Sequence, residues 1–421
     1  MKGSLTSLQS LIPLCYTLVM HASKHSYPLL KDAPLKGKRV LVRAGFDIPI
    51  ENGKVIDTSR IDALLPTMQA ILKGGASLIL MAHQGRPKDK PDPVFSQKPL
   101  VPVLEAVLKT KVLFADSCTG DSATKAAAAL QPGAVLLLEN LRFDPREKKN
   151  DPAFAKELAA LADLYVNDAF TNCHRAHASM VGVPKLLPSF MGLQLEEEIT
   201  HLTKATEHPE HPVVLIISGA KMETKIPVIE HFLDRGDDVL VGGCVANTFI
   251  AARGFDVGAS KYEEEWIETC QELMLEAAKE DRADIHVPRD AIVATEAVEK
   301  AEKLCLPVED ILGDMAIFDI GKVTVERYIA ILKTAQTIVW NGPLGLYEIN
   351  RFSHATKRIA EALSEAKKRG ATVVLGGGDT IDFHTRYDYP IDAYTYVSTG
   401  GGAMLEFIGG KELPALVALR K

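Results

Sequence analysis

Residues 371–383 read ATVVLGGGDTIDF: a β-branched and aliphatic run stops at Gly376, Gly377 and Gly378, after which Asp379 and Thr380 can open a helix. Strand, tight turn and helix start in that order make an anion site. Glycine backbone can take φ > 0 and come close to a ligand, and the unpaired N–H groups of a helix N-terminus face it. Asp379 would repel a phosphate unless a cation lay between them, so its position points to Mg2+ on a polyphosphate, met directly or through water. The same pattern also serves to leave a buried strand and cap a helix, and other residues must decide. Lys221 and Lys225 stand four apart and would share one face if their segment were helical. Two ammonium groups aimed at one place need an anion. In the first half of the chain Arg60, His83, Arg86, Arg142, His174, Arg175 and His177 each follow an apolar run or open a helix. One such histidine alone would be an ordinary hydrogen-bonded side chain, and a charged run is ordinarily a solvated face. Recurrence at strand ends is what suggests one basic basin for a small, highly charged anion, with arginines gripping phosphate or carboxylate oxygens in pairs.

The elements that must carry these groups are βα units. Val40, Leu41 and Val42 read as a strand running into the polar turn that holds Asp47. A helix then opens near Arg60 with Leu64, Leu65, Met68 and Leu72 on one face, ends at Gly74 and Gly75, and is followed by a strand at 77–81. Further strands are expected at 112–114, 134–138, 164–166, 213–217, 238–241, 316–319, 337–340 and 372–375, with a helix from Ala246. Ligands of such parallel sheets bind where strands end. The polar-faced stretch 193–206, followed by residues 207–212 with two prolines, reads as an interdomain connection.

A chain of 421 residues exceeds one ordinary core and suits two α/β domains. With 48 Lys+Arg against 55 Asp+Glu the net charge is -7, so nothing draws the whole chain to nucleic acid or an acidic membrane, and any anion site is local. Six scattered cysteines without a C-x-x-C spacing argue against a disulfide framework or structural zinc and fit a reducing cytoplasm. Residues 11–20, LIPLCYTLVM, are too few to span a bilayer. Residues 1–27 are expected to be a disordered or mis-started extension.

More specific still are GKRVLVR at 37–43, D-x-x-R-I at 57–61, HQGRPK at 83–88, LLENLRF at 137–143, YVNDAF at 165–170 and HRAHAS at 174–179. GAKxxxK at 219–225, VWNGPLG at 339–345, GGGDT at 376–380 and STGGGAxLE at 398–406 continue the series. On these the chain, from about Leu35 onward, resembles the phosphoglycerate kinase family. The P-loop, the H-R-D and D-F-G pair and the G-x-G-x-x-G fingerprint are absent from the sequence. The resemblance implies two Rossmann-like doubly wound parallel-sheet domains joined by a long helix and hinge. A triose-phosphate domain would span 28–192, with 405–421 returning to it; the interdomain helix would be 193–207 and the nucleotide domain 208–404. It implies a cytoplasmic, monomeric glycolytic kinase whose partners are small molecules, with neither nucleic acid nor membrane. The reaction would be reversible transfer of a phosphoryl group between 1,3-bisphosphoglycerate and MgADP, giving 3-phosphoglycerate and MgATP.

Carried over by matching motif, Arg60 and Lys225 would hold the transferring phosphoryl group, with Lys221 and the N–H groups of Gly377, Gly378 and Gly401 beside it. His83, Arg86, Arg142 and Arg175 would form the triose-phosphate basin, Arg86 serving alternatively in an interdomain ion pair; Asp47, not itself a family residue, would join it if a glycine at 45 frees the turn to carry its carboxylate to the substrate hydroxyl. Gly242, Gly243 and Leu344 would flank adenine, Glu348 would meet the ribose, Thr380 would join the nucleotide turn, and Asp379 would meet Mg2+. Trp340, Asn341 and Pro343 also fit a purely turn-shaping role. The chain departs from the family where V-D-F-N-V-P is usual: Gly45 replaces an acid that contacts the substrate hydroxyl, and Asp47 replaces an amide. Milder departures are Ala82, Gln84, Thr171, Asn172, Cys173 and Thr224. A two-lobed solute-binding protein would explain hinged domains but not the two lysines and the GGGDT turn. A kinase relative acting only by interaction would be expected to have lost Arg60 or Lys225, and a dehydrogenase would need the missing fingerprint.

Overall fold

The structure is a computed structural model that describes residues 26–88 and 90–420. The extension expected at 1–27 therefore lies, except for its last two residues, outside the described residues. Contacts divide the chain into a first unit, up to Thr200 and again over Glu412–Lys421, and a second unit, His201–Lys411. The division at Thr200 falls inside a helix.

The first unit carries strands β1 Arg39–Ala44, β2 Ser77–Met81, β3 Val112–Ala115, β4 Val135–Leu138, β5 Leu164–Asp168 and β6 Ser189–Met191. They form one parallel sheet in the order β3-β4-β2-β1-β5-β6. β2, β4 and β5 are buried at every residue, as near-continuous apolar runs covered on both faces should be. Because β2 lies on one side of β1 and β5 on the other, the carboxyl end of β1 is a topological switch point. Helix α1, Ser59–Lys73, buries Ile61, Leu64, Met68 and Ile71 at helical spacing, while Leu65 and Leu72 are half-buried at the margin. Its end is closed by Gly75 at φ 78, with Gly75 N donating to Leu72 O at 3.0 Å and Ala76 N to Ile71 O at 3.3 Å.

The second unit carries β7 Val213–Ile217, β8 Asp238–Val241, β9 Asp284–His286, β10 Asp290–Ala294, β11 Leu304–Pro307, β12 Ala316–Ile320, β13 Thr337–Asn341, β14 Thr372–Gly376 and β15 Tyr396–Ser398. Six of them form a second parallel sheet, β9-β8-β7-β13-β14-β15, and β11-β10-β12 form a small antiparallel one. The switch point lies between β7 and β13. Helices named below are α2 Leu193–Thr206, α3 Met222–Leu233, α4 Gly243–Ala252, α5 Ile267–Ala277, α6 Lys322–Leu332, α7 His354–Lys368, α8 Gly378–Arg386, α9 Gly402–Ile408 and α10 Pro414–Leu419. The helix expected from Ala246 begins three residues earlier, because Gly243 at φ 57 makes the turn into α4 within one residue. Lys221 stands before α3 with extended backbone (φ -178), so it does not share a helical face with Lys225, as the spacing alone had allowed. α6 and α7 bury Tyr328, Leu332, Ile359 and Leu363 in the core built on Trp340 and Val373.

Candidate active site

In the first unit, Ala44 pairs with Asp168 and Arg43 with both Met81 and Asn167, so the segments after β1, β2 and β5 leave the sheet at one level. Arg43 is the unexpected member. It lies inside a strand, 1% exposed, and its Nε donates to Ser179 Oγ at 3.1 Å. Ser179 in turn gives its N–H and hydroxyl to Glu147, itself buried. Burial lowers the Arg43 pKa and raises that of Glu147, while each charge draws the other back toward ionisation.

Arg43 Nη2 meets His83 Nδ1 at 2.9 Å. A guanidinium only donates, so Nδ1 is the acceptor and the proton of neutral His83 sits on Nε2, which faces Asp47 Oδ2 at 3.3 Å. Burial, helped by Arg43 and Arg142, pushes His83 down to about 3 against the pull of Asp47. Asp47 also accepts from Gly85 N at 2.8 Å, and Arg60 donates to the Asp47 carbonyl. Burial alone would raise the Asp47 carboxyl; His83, the Gly85 N–H and Arg60 together hold it well below the carboxylate range. Arg142 is buried, donates through Nη1 to Gly85 O at 2.7 Å, and has no acceptor for Nε among the described residues. Burial, then Arg175 and Arg43, lower it to about 10. Arg175 donates to His174 Nε2 at 3.2 Å. Arg86 is exposed and in no ion pair among the described residues. Arg43, Glu147 and Ser179 were not read as site residues; a lone arginine inside an apolar strand was their signal.

His174 and His177 are each lowered to about 4, by burial first and then by Arg175 and, for His177, Arg43 and Arg142. Between pH about 6.5 and 4 the unfolded chain takes up protons that the folded histidines refuse. Stability should therefore fall on acidification through that window and recover as pH rises. We expect the urea midpoint followed by circular dichroism to drop from pH 7 to pH 5, and to drop less in the His174→Gln, His177→Gln double variant.

In the second unit, Val241, Ile217, Asn341, Gly376 and Ser398 are register neighbours across five adjacent strands, so the turns after them leave the sheet in one row. Gly377 takes φ 105 as the cap of α8, and a Cβ there would crowd Asn341 Nδ2 at 3.1 Å. Asp379 and Gly378 are exposed in the first turn of that helix. The Thr380 hydroxyl accepts from Gly342 N at 2.9 Å and donates to Gly376 O at 3.1 Å, lashing the 342 and 376 turns together. Gly401, φ 54, caps α9 after β15, the strand next to β14. Lys225, on α3, is 7% exposed and its ammonium donates to Asn341 Oδ1, while Asn341 Nδ2 donates to Gly376 O at 3.0 Å. Asn341 therefore positions the lysine as well as shaping the turn. Burial lowers Lys225 to about 8 against the pull of Asp379. Lys221 and Glu348 are exposed, whereas Leu344 is 1% exposed. Gly242 and Gly243 pack so close to Leu344 and Ser218 that no Cβ fits at either position. A single exposed carboxylate at a helix N-terminus suits Mg2+, which is held by one or two carboxylates and the phosphates it accompanies.

Two doubly wound units, one with a basic basin and one with a glycine-rich row around a buried lysine, define an α/β phosphotransferase. Residues 30–411 match the family model described as "Phosphoglycerate kinase". The chain belongs to the phosphoglycerate kinase family. It is 44% identical over 393 residues to the phosphoglycerate kinase of Methylorubrum populi, covering 93% of this chain and 98% of that one. To that of Moorella thermoacetica it is 45% identical over 390 residues, covering 93% and 98%. The solved structure of phosphoglycerate kinase from Coxiella burnetii superposes with a TM-score of 0.86 at 36% identity, covering 93% and 98%. The chain is accordingly a kinase of the transferase class with a glycolytic role. Among the described residues no helix is long and apolar enough to cross a membrane.

Proposed function

We propose that this protein transfers a phosphoryl group reversibly from 1,3-bisphosphoglycerate to MgADP. The bond between the acyl oxygen and phosphorus breaks, a terminal oxygen of ADP bonds to that phosphorus, and 3-phosphoglycerate leaves as its carboxylate. Lys225 carries the reading. It is a buried ammonium in a row of glycine turns, held by an amide carbonyl, and among the described residues it is in no ion pair. Such a cation lacks the anion that would offset its burial.

In this reading Lys225 and Arg60 each meet the transferring phosphoryl group and offset charge as it develops, with Lys221 and the N–H groups of Gly377, Gly378 and Gly401 as further donors. His83, Arg86, Arg142 and Arg175 bind the triose phosphate, Arg142 with its spare Nε. Asp47 holds the loop that presents Gly85 and His83. Gly242 and Gly243 give a flat approach for adenine over the packed Leu344, Glu348 accepts from ribose hydroxyls, and Thr380 fixes the turn. Asp379 would hold Mg2+, whose role when bound is to neutralise charge on the nucleotide phosphates. The triose-phosphate domain would span 28–192 together with 405–421, the interdomain helix 193–207 and the nucleotide domain 208–404, with the protein a cytoplasmic monomer. In an assay of purified protein coupled to removal of 1,3-bisphosphoglycerate, MgATP and 3-phosphoglycerate should both be consumed. Absence of turnover would refute the reading.

A further inference from the structure

β9 is the edge strand of the second sheet, two strands away from β7. Along it lies a cleft of about 330 Å³ walled by the end of α5 and lined by three arginines, Arg253 after α4, Arg289 before β10 and Arg327 on α6. One carboxylate, Asp284, shares the cleft. Among the described residues none of the three guanidinium groups is in an ion pair; Arg253 lies over the Phe255 ring at 5.3 Å.

Arg327 is held in place. Its Nη2 meets His286 Nδ1 at 2.8 Å, and because a guanidinium only donates, Nδ1 accepts and the ring proton is on Nε2. That proton is given to Asp238 Oδ1 at 2.5 Å. Asp238, Asp284 and His286 are close enough together to resemble a cation site. The hydrogen-bond directions argue otherwise: Nε2 is protonated and Nδ1 is covered by a positive charge. The cluster is a buttress that fixes one guanidinium at the cleft.

Three like charges converging on one concavity repel one another, and in a chain of net charge -7 no general excess of arginine accounts for them. The volume is at the lower end of that of small-molecule sites. We propose that this cleft binds a compact polyanion with two or more closely spaced oxyanion groups, phosphate or carboxylate, gripped by Arg289 and Arg327 with Arg253 at the rim. The site is separate from the row of glycine turns and does not depend on the reaction proposed above.

The test is calorimetric titration of inorganic pyrophosphate, and in a second arm citrate, into the full-length protein in Mg2+-free buffer. Wild type is compared with the Arg289→Gln, Arg327→Gln double variant. Anion sites elsewhere are common to both proteins, so the difference reports the cleft. Wild type should show a site that the double variant binds about tenfold more weakly or not at all, with turnover and melting temperature the same in both. The tighter probe identifies the oxyanion. Should the double variant fold poorly, Arg253→Gln, at an exposed position, should weaken the same site. Identical isotherms for wild type and variants with both probes would overturn the proposal.

Discussion

Lys225→Met should retain about a hundredth to a thousandth of wild-type turnover, the loss typical of removing one preorganised donor to transition-state charge. Nucleotide affinity should change far less, because the glycine turns and the α8 N-terminus remain. Arg60→Ala should behave alike. Near-normal turnover in either variant would remove it from the proposed machinery. Stability supplies an independent readout for Lys225. Its pKa is lowered from 10.5 to about 8, by burial first, so between those values the unfolded chain binds a proton that the folded chain lacks. Folding stability contributed by this group must therefore rise as pH climbs through that window. The methionine variant should lose that rise, and urea midpoints at pH 8 and pH 10 will show it. A slope unchanged by the substitution would mean that the ammonium is not desolvated in the free protein.

The second large effect is expected at Asp47. A glycine at 45 had suggested a freer turn that could carry the Asp47 carboxylate to the substrate hydroxyl. The structure corrects this: Gly45 is not among the positive-φ glycines, and a Cβ would fit there, with Ala169 Cα and Thr171 Oγ1 both at 3.7 Å. Nothing in the local backbone requires glycine. The Asp47 carboxylate, 38% exposed, is instead held by Gly85 N and neutral His83, from both of which it accepts. Asp47→Asn keeps an acceptor for Gly85 but sets an N–H2 against the His83 Nε2 proton. It should weaken 3-phosphoglycerate binding about tenfold, the scale of a lost charge-assisted hydrogen bond, with KM for ATP unchanged. Gly45→Asp alone should weaken it further by placing a second acid beside an anion, and Gly45→Asp with Asp47→Asn should restore binding. Unchanged or tighter binding in Asp47→Asn would show that the carboxylate is merely tolerated.

What could be read from residues alone follows a physical division. The GGGDT turn and the basic strand ends were legible because glycine after an apolar run, and arginine where a strand stops, each have few other uses. Arg43 was not, since a charge inside a buried strand is explained only by partners far along the chain, Ser179 and Glu147. Asn341 was half legible: its place in the turn showed, but its grip on Lys225 is a contact between β13 and α3 that spacing does not encode. The pairing of Lys221 with Lys225 failed for a local reason, because the helix begins one residue after Lys221.

The first unit is not a continuous stretch of chain. Residues up to Thr200 are completed by Glu412–Lys421, where α10 buries Leu416 and Leu419 and Ala415 N donates to Cys173 O at 3.1 Å. On the ribosome the order of completion is therefore reversed with respect to the order of synthesis. The sheet that is made first stays without its closing helix while all of the second unit, contiguous from His201 to Lys411, is produced and free to fold. Cys173 stands next to His174 in the segment that waits, so a nascent chain would hold all of its glycine-rich turns before that segment gains its bond from Ala415.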